Sequence, residues 1–179
     1  MFVFGHLGIG KKIASPFSKK LATPWLLLGT LLPDLLDKPL YYILCLATGK
    51  TGASLGLISG SRTLGHVGLL PVLLLALGLA WKNRLCIAIA VGMVTHLLLD
   101  GVSDWVLVPS GVQSSIFLAV VFPFQGLQFG VMPFKSMHEH ADATLNIFTL
   151  TCEFIGVLLL GWEFRQKFLR LNLFSKRID

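Results

Sequence analysis

Residues 85–104, LCIAIAVGMVTHLLLDGVSD, form an apolar run long enough to cross a bilayer, and His96 and Asp100 lie inside it. A crossing helix needs about 20 mostly apolar residues. A charged side chain near the bilayer centre costs about 2.5–3.5 kcal/mol even on the lenient insertion scale. Such a segment is stable only where its polar groups meet partners inside the protein. Three other segments repeat the pattern. Residues 23–48 carry Asp34 and Asp37, residues 63–81 carry His66, and residues 143–164 carry Glu153 near their middle. The pattern predicts one all-α, polytopic membrane domain over residues 1–179, with about four transmembrane helices.

Composition agrees. The chain is 54% hydrophobic and 13% charged, with a mean hydropathy of +0.76; soluble domains carry roughly 25% charged residues. The net charge of +6 is concentrated in clusters that flank apolar spans. Lys11, Lys12, Lys19 and Lys20 precede the first span. Lys82 and Arg84 separate the second from the third, and Arg165, Lys167, Arg170, Lys176 and Arg177 follow the fourth. With both termini cytoplasmic, only Lys50, Arg62 and Lys135 fall outside, as the positive-inside rule requires. The clusters therefore read as topology signals, and no nucleic-acid partner is expected. In a bacterium the compartment would be the inner membrane.

Two regions do not read as spans. Residues 1–17 are too short to cross, and they lack the order of a secretory signal because the apolar stretch precedes the lysines. Residues 105–134 are broken by Pro109, Pro123 and Pro133. Both are expected to be re-entrant or interfacial. Trp81, Trp105 and Trp162 lie near predicted span ends, as belt residues do. Cys45, Cys86 and Cys152 lie in apolar runs and read as small buried hydrophobes.

Asp34, Asp37, Asp100 and Glu153 together would cost on the order of 10 kcal/mol if buried without compensation. Arg62 alone cannot balance them, whereas a divalent cation can, because carboxylates and neutral imidazoles are metal ligands. Spacing supports this reading. Asp34 and Asp37 are i, i+3, while His96 and Asp100, like Arg62 and His66, are i, i+4 and share a helical face. Asp142, Asn146, Thr149 and Glu153 would form one polar stripe on the fourth helix. Blander roles remain open. Pro33 suggests a break, Asp37 would suit a cap, and Glu153 would suit a structural hydrogen bond. His138 and His140 suit a loop that ends in Asp142 as a helix N-cap. His6 lies on the cytoplasmic side and reaches the others only if residues 1–17 fold back into the protein.

Taken in order, His6 with Gly8, GTLLPDLLD (29–37), RTLGH (62–66), HLLLD (96–100) and Glu153 resemble the YdjM-type family. These are LexA-regulated inner-membrane proteins described as membrane-bound metal-dependent hydrolases. This sequence has two residues between its aspartates where that family has one. It also has Gly65 and Val67 where the family has threonine and serine. Ligand order is distantly similar to that of zinc-dependent phospholipase C.

The resemblance implies a hydrolase with water activated by a divalent metal; the ligand order suggests a phosphoester, and a site within the membrane suggests that the substrate is a lipid or lipid-linked. Zinc or manganese is favoured and magnesium is possible. His6, Asp34, His66, His96 and Asp100 would be the ligands. Asp37 or Glu153 would act as general base, and Arg62 would bind phosphate. An ion- or proton-translocating protein and a scaffold with a structural metal are the alternatives.

Overall fold

The computed structural model describes residues 2–17, 21–108, 114–131 and 137–175. Lys19, Lys20, Pro109, Pro133, Lys135, Lys176 and Arg177 lie outside the described residues, as do the side chains of His140 and Arg170. The described residues form helices joined by turns and loops and contain no strand. In chain order the helices are α1 (Val3–Ala14), α2 (Thr23–Thr48), α3 (Leu69–Ala80), α4 (Arg84–Leu107), α5 (Ser115–Val121), α6 (Met137–Thr144) and α7 (Ile147–Ser175). Short 3-10 turns at Gly52–Leu55 and Leu64–His66 lie between α2 and α3.

Local chemistry fixes several of these limits. Pro24 opens α2 in the first turn, where a missing N–H costs nothing, and Gly49 closes it with φ at 66°. The Asn83 side chain caps α4, accepting from Leu85 N at 2.9 Å and Cys86 N at 3.4 Å. Asn146 caps α7 by accepting from Thr149 N at 2.9 Å.

Two helices, α4 and Ile147–Leu169 of α7, are long and apolar enough to cross a membrane. The expected span at 23–48 is a helix with the expected ends, but it carries Asp34, Asp37 and Lys38. The expected span at 63–81 is replaced by a 3-10 turn and a helix of 12 residues. At 1.5 Å per residue, α3 is about 18 Å long, well short of the roughly 30 Å hydrocarbon core. The break anticipated at Pro33 is absent, because α2 runs through both Pro33 and Pro39. The stripe from Asp142 to Glu153 is also absent. Asp142 belongs to α6, the helix stops at Thr144, and Asn146 caps the next helix. In α5, seven residues are too few to cross.

The core forms where α2 and α4 cross. A Cβ on Gly29 would lie 2.3 Å from the Ile89 carbonyl oxygen, and one on Gly92 would lie 2.3 Å from that of Leu26. The two backbones touch there, and one turn further along each helix stand Asp34 and His96. Helix α1 lies against α7, and both run in the same direction. Phe4 and Gly5 meet Glu153, Gly8 meets Gly156, and Lys11 pairs with Glu163.

Glu153 therefore receives the first backbone N–H groups of α1, from Phe4 at 2.8 Å and Gly5 at 2.9 Å. Those groups have no partner within their own helix, and a carboxylate at a helix N-terminus is favoured by the dipole. Glu153→Ala is expected to destabilise the fold by about 1–2 kcal/mol. An unchanged melting temperature in detergent would refute this role.

Candidate metal centre

The short segment 62–66 is folded onto α2 by one carboxylate. Asp37 is fully buried and accepts three hydrogen bonds, from Thr63 N at 2.6 Å, Gly65 N at 2.8 Å and His66 Nδ1 at 2.7 Å. Gly65 suits this position because of the close approach. A Cβ there would lie 2.7 Å from the Pro33 carbonyl oxygen and 3.2 Å from Asp37 Cγ. The glycine that departs from the resembled family's pattern thus has a steric reason in this chain.

The ring of His66 is thereby oriented. A carboxylate only accepts, so Nδ1 carries the hydrogen and Nε2 presents its lone pair. The ring of His96 is set in the same way, with Nδ1 donating to the Thr30 carbonyl at 2.8 Å. Pro33 has no N–H to return to the Gly29 carbonyl, so the α2 ladder is loosened at this turn. The Thr30 carbonyl lies beside that gap. A ligating imidazole held through its other nitrogen is the usual arrangement at protein metal sites.

The two Nε2 atoms face each other at 3.2 Å. Two lone pairs at that separation require a cation between them, either a proton or a metal ion. Two carboxylates approach the same point. Asp34 Oδ1 is 3.7 Å from His66 Nε2 and 3.9 Å from His96 Nε2. Asp100 Oδ2 is 3.6 Å and 3.8 Å from the same atoms. Ligands about 2.0–2.1 Å from a tetrahedral ion stand roughly 3.3–3.4 Å apart, and at an octahedral edge about 2.9 Å apart. Asp34, His66 and His96 form one group of donors close enough to share an ion, and His6, His96 and Asp100 form a second. In the first, a contraction of a few tenths of an ångström would bring the separations to bonding geometry. The donor chemistry fits a divalent ion, with mixed imidazole and carboxylate ligands suiting zinc or manganese.

His6 reaches this cluster because α1 packs into the fold. Its ring stacks on that of His96, with centroids 3.9 Å apart, and Nε2 is 3.4 Å from Asp100 Oδ1. His6 is fully buried, and neither of its nitrogens makes a hydrogen bond.

Arg62 closes the other side. Its Nε is 3.0 Å from Asp100 Oδ2, and its Nη1 is 2.5 Å from Asp104 Oδ1 and 3.2 Å from Ser115 Oγ. Asp104 also accepts from Ser114 Oγ at 2.6 Å, which ties the start of α5 to α4. Sequence reasoning passed over Asp104, although it continues the i, i+4 series from His96 and Asp100. It also passed over Lys38, which pairs with Asp34 at 2.5 Å, so Arg62 is not the only cation near these acids.

His6, Asp34, Asp37, Arg62, His66, His96 and Asp100 are brought together. Glu153 is not; its described hydrogen bonds go to α1. His138 lies on α6, exposed and 3.4 Å from Asp142. The three cysteines form no disulfide.

Asp37→Asn keeps every ligand but turns an N–H2 toward backbone donors. Metal affinity is expected to fall about 10–100-fold, the usual effect of losing a group that orients a ligand. Competition with a chromogenic chelator measures it, and an unchanged affinity would remove Asp37 from this role.

Comparison with family models, curated proteins and solved structures gives no match to this chain.

Proposed function

We propose that the protein is an integral-membrane, metal-dependent hydrolase whose substrate is a lipid or lipid-linked phosphoester. In this reading α2 and α3 lie in the membrane with α4 and α7, and the C-terminus is cytoplasmic. Helix α1, parallel to α7, turns its Lys11 end to the cytoplasm and its first residues into the membrane. Asp34, His66, His96 and Asp100 hold a divalent cation, zinc or manganese in preference to magnesium. The observation that carries the proposal is the pair of Nε2 atoms 3.2 Å apart, each ring fixed through Nδ1, with a carboxylate oxygen on either side.

The cation, when bound, supplies a nucleophile at neutral pH and neutralises charge on the scissile phosphoryl group. The chain's own residues do the rest. Asp37 and the Thr30 carbonyl hold the imidazoles. Asp100 and Asp104 anchor two of the guanidinium nitrogens of Arg62, leaving Nη2 for a phosphate oxygen. Asp37 already holds three hydrogen bonds and Glu153 is committed to α1, so neither suits the general base. His6, stacked on His96 with both nitrogens without hydrogen bonds, suits the acceptance of a proton from water. The side chains of Asp34 and Arg62, 16% and 21% exposed, are the open side of the cluster.

The experiment is turnover. Protein reconstituted with zinc or manganese is given a panel of phospholipids and isoprenoid phosphates, and released phosphate or headgroup is measured. Metal-dependent release that disappears in Asp34→Asn is expected. A second reading has one specific support: four protein donors also make the closed set typical of structural zinc. Bound metal with no turnover on the whole panel would favour that scaffold. Proton flux into proteoliposomes without bound metal would favour translocation through the paired imidazoles.

A further inference from the structure

A groove of about 520 Å³ runs between α1 and the second half of α7, apart from the metal centre. This volume is in the range of small-molecule binding sites. Its wall is apolar at one end, with Phe4, Val157 and Leu160, and it ends at Lys11, Glu163 and Lys167, a net charge of one cation. The groove opens to the outside of the fold, because only 11% of the apolar window in α7 is buried. Lys11 is paired with Glu163. Among the described residues, Lys167 has no ion-pair partner, and Lys12 and Arg165 lie nearby in the sequence.

Length and polarity match one kind of occupant. From Val157 to Lys167 the helix rises about 15 Å, half of a roughly 30 Å hydrocarbon core. Exposed Trp162 and Phe164 lie close to the charged end, as aromatic residues do at the membrane–water boundary. An apolar trough one leaflet deep that ends in lysines at the boundary complements an acyl chain joined to a negative headgroup. We infer that this groove binds one anionic phospholipid, its chain along Val157 and Leu160 and its phosphate at Lys167 and Lys11. The site does not depend on the metal centre; it does depend on α7 lying in the bilayer.

The test uses the full chain, reconstituted in vesicles of phosphatidylglycerol and phosphatidylcholine in equal amounts, then extracted mildly for native mass spectrometry. Retained phosphatidylglycerol is expected to exceed phosphatidylcholine about fivefold, the factor that one cation contributes beside anionic lipid. Lys11→Gln with Lys167→Gln should abolish the preference. Gly161→Leu supplies a second variant that keeps both lysines. A Cβ at this groove-lining glycine meets nothing within 4 Å, so the leucine enters the trough from an uncrowded position. It should lose the retained lipid altogether. Equal retention of the two lipids by the wild type, or undiminished phosphatidylglycerol on Gly161→Leu, overturns the proposal. Failure of the wild type to float with vesicles overturns the membrane reading as well, and so separates the two.

Discussion

Elemental analysis of the purified protein should find a divalent metal bound near one ion per chain, and His96→Ala with Asp100→Ala should remove it. The pair contributes Nε2 and Oδ2 to a cluster with His66 and Asp34, so the double change deletes half of the proposed donors. Loss of a group that merely orients a ligand weakens binding about 10–100-fold, so loss of two ligands should exceed roughly 100-fold. The vacated site would also leave Arg62 with only Asp104 and Ser115 of its described partners, and some loss of stability is expected with it. Asp34→Asn separates the effects, since it keeps the shape of the side chain and removes its charge. Metal should fall in that variant while the helical content stays. Wild-type protein that carries no metal and takes up none from zinc or manganese would end this reading. If the protein instead keeps a proton between the two imidazoles, the translocation alternative gains.

A larger structural effect is expected at the contact between α1 and α7. A Cβ on Gly156 would stand 2.1 Å from the Phe4 carbonyl oxygen, and one on Gly8 would stand 2.2 Å from that of Gly156. The obstacle on each side is backbone, which cannot rotate away as a side chain can. Gly156→Val therefore forces the helices apart and with them the bonds from Phe4 and Gly5 to Glu153. A loss above about 4 kcal/mol is expected, at the severe end for a single substitution. The measurement is thermal unfolding in detergent, with protease cleavage in α1 as the local readout. Gly161→Ala, five residues further along α7 and in open space, is the control, and should stabilise by up to about 1 kcal/mol through helix propensity. Equal behaviour of the two variants would show that the contact is looser than described.

These contacts also explain what could be read from the sequence. The limits of α2 were legible from the apolar run at residues 23–48, and Pro24 and Gly49 set them locally. The site acids and histidines were legible as residues out of place in apolar runs. Their division of labour was not. Nothing local marks Asp37 as the holder of His66 and Asp34 as the residue facing the lone pairs, since that depends on how segment 62–66 folds over Pro33. Glu153 misled for a related reason. Its partners, Phe4 and Gly5, stand 149 and 148 residues away in the chain. The supposed stripe on the last helix failed because periodicity counts through Leu145 and Asn146, whereas the asparagine side chain ends one helix and begins another. The length of α3 was overestimated because apolar composition does not reveal a 3-10 turn at Leu64–His66.

The staple made by Asp37 has a consequence for the order of assembly. Asp37 and His66 are separated by 29 residues, whereas Thr30 and His96 are separated by 66. Closing the shorter loop is entropically cheaper and can occur while the chain is still being made. Helix α2 with segment 62–66 would then stand as a half-built socket, one imidazole already aimed, until α4 arrives with the second. Capture of the ion would be the last event and would record that the preceding helices had docked in register. Pulsed hydrogen exchange should accordingly protect the amides of Thr63 and Gly65 before those of the α4 turn around His96.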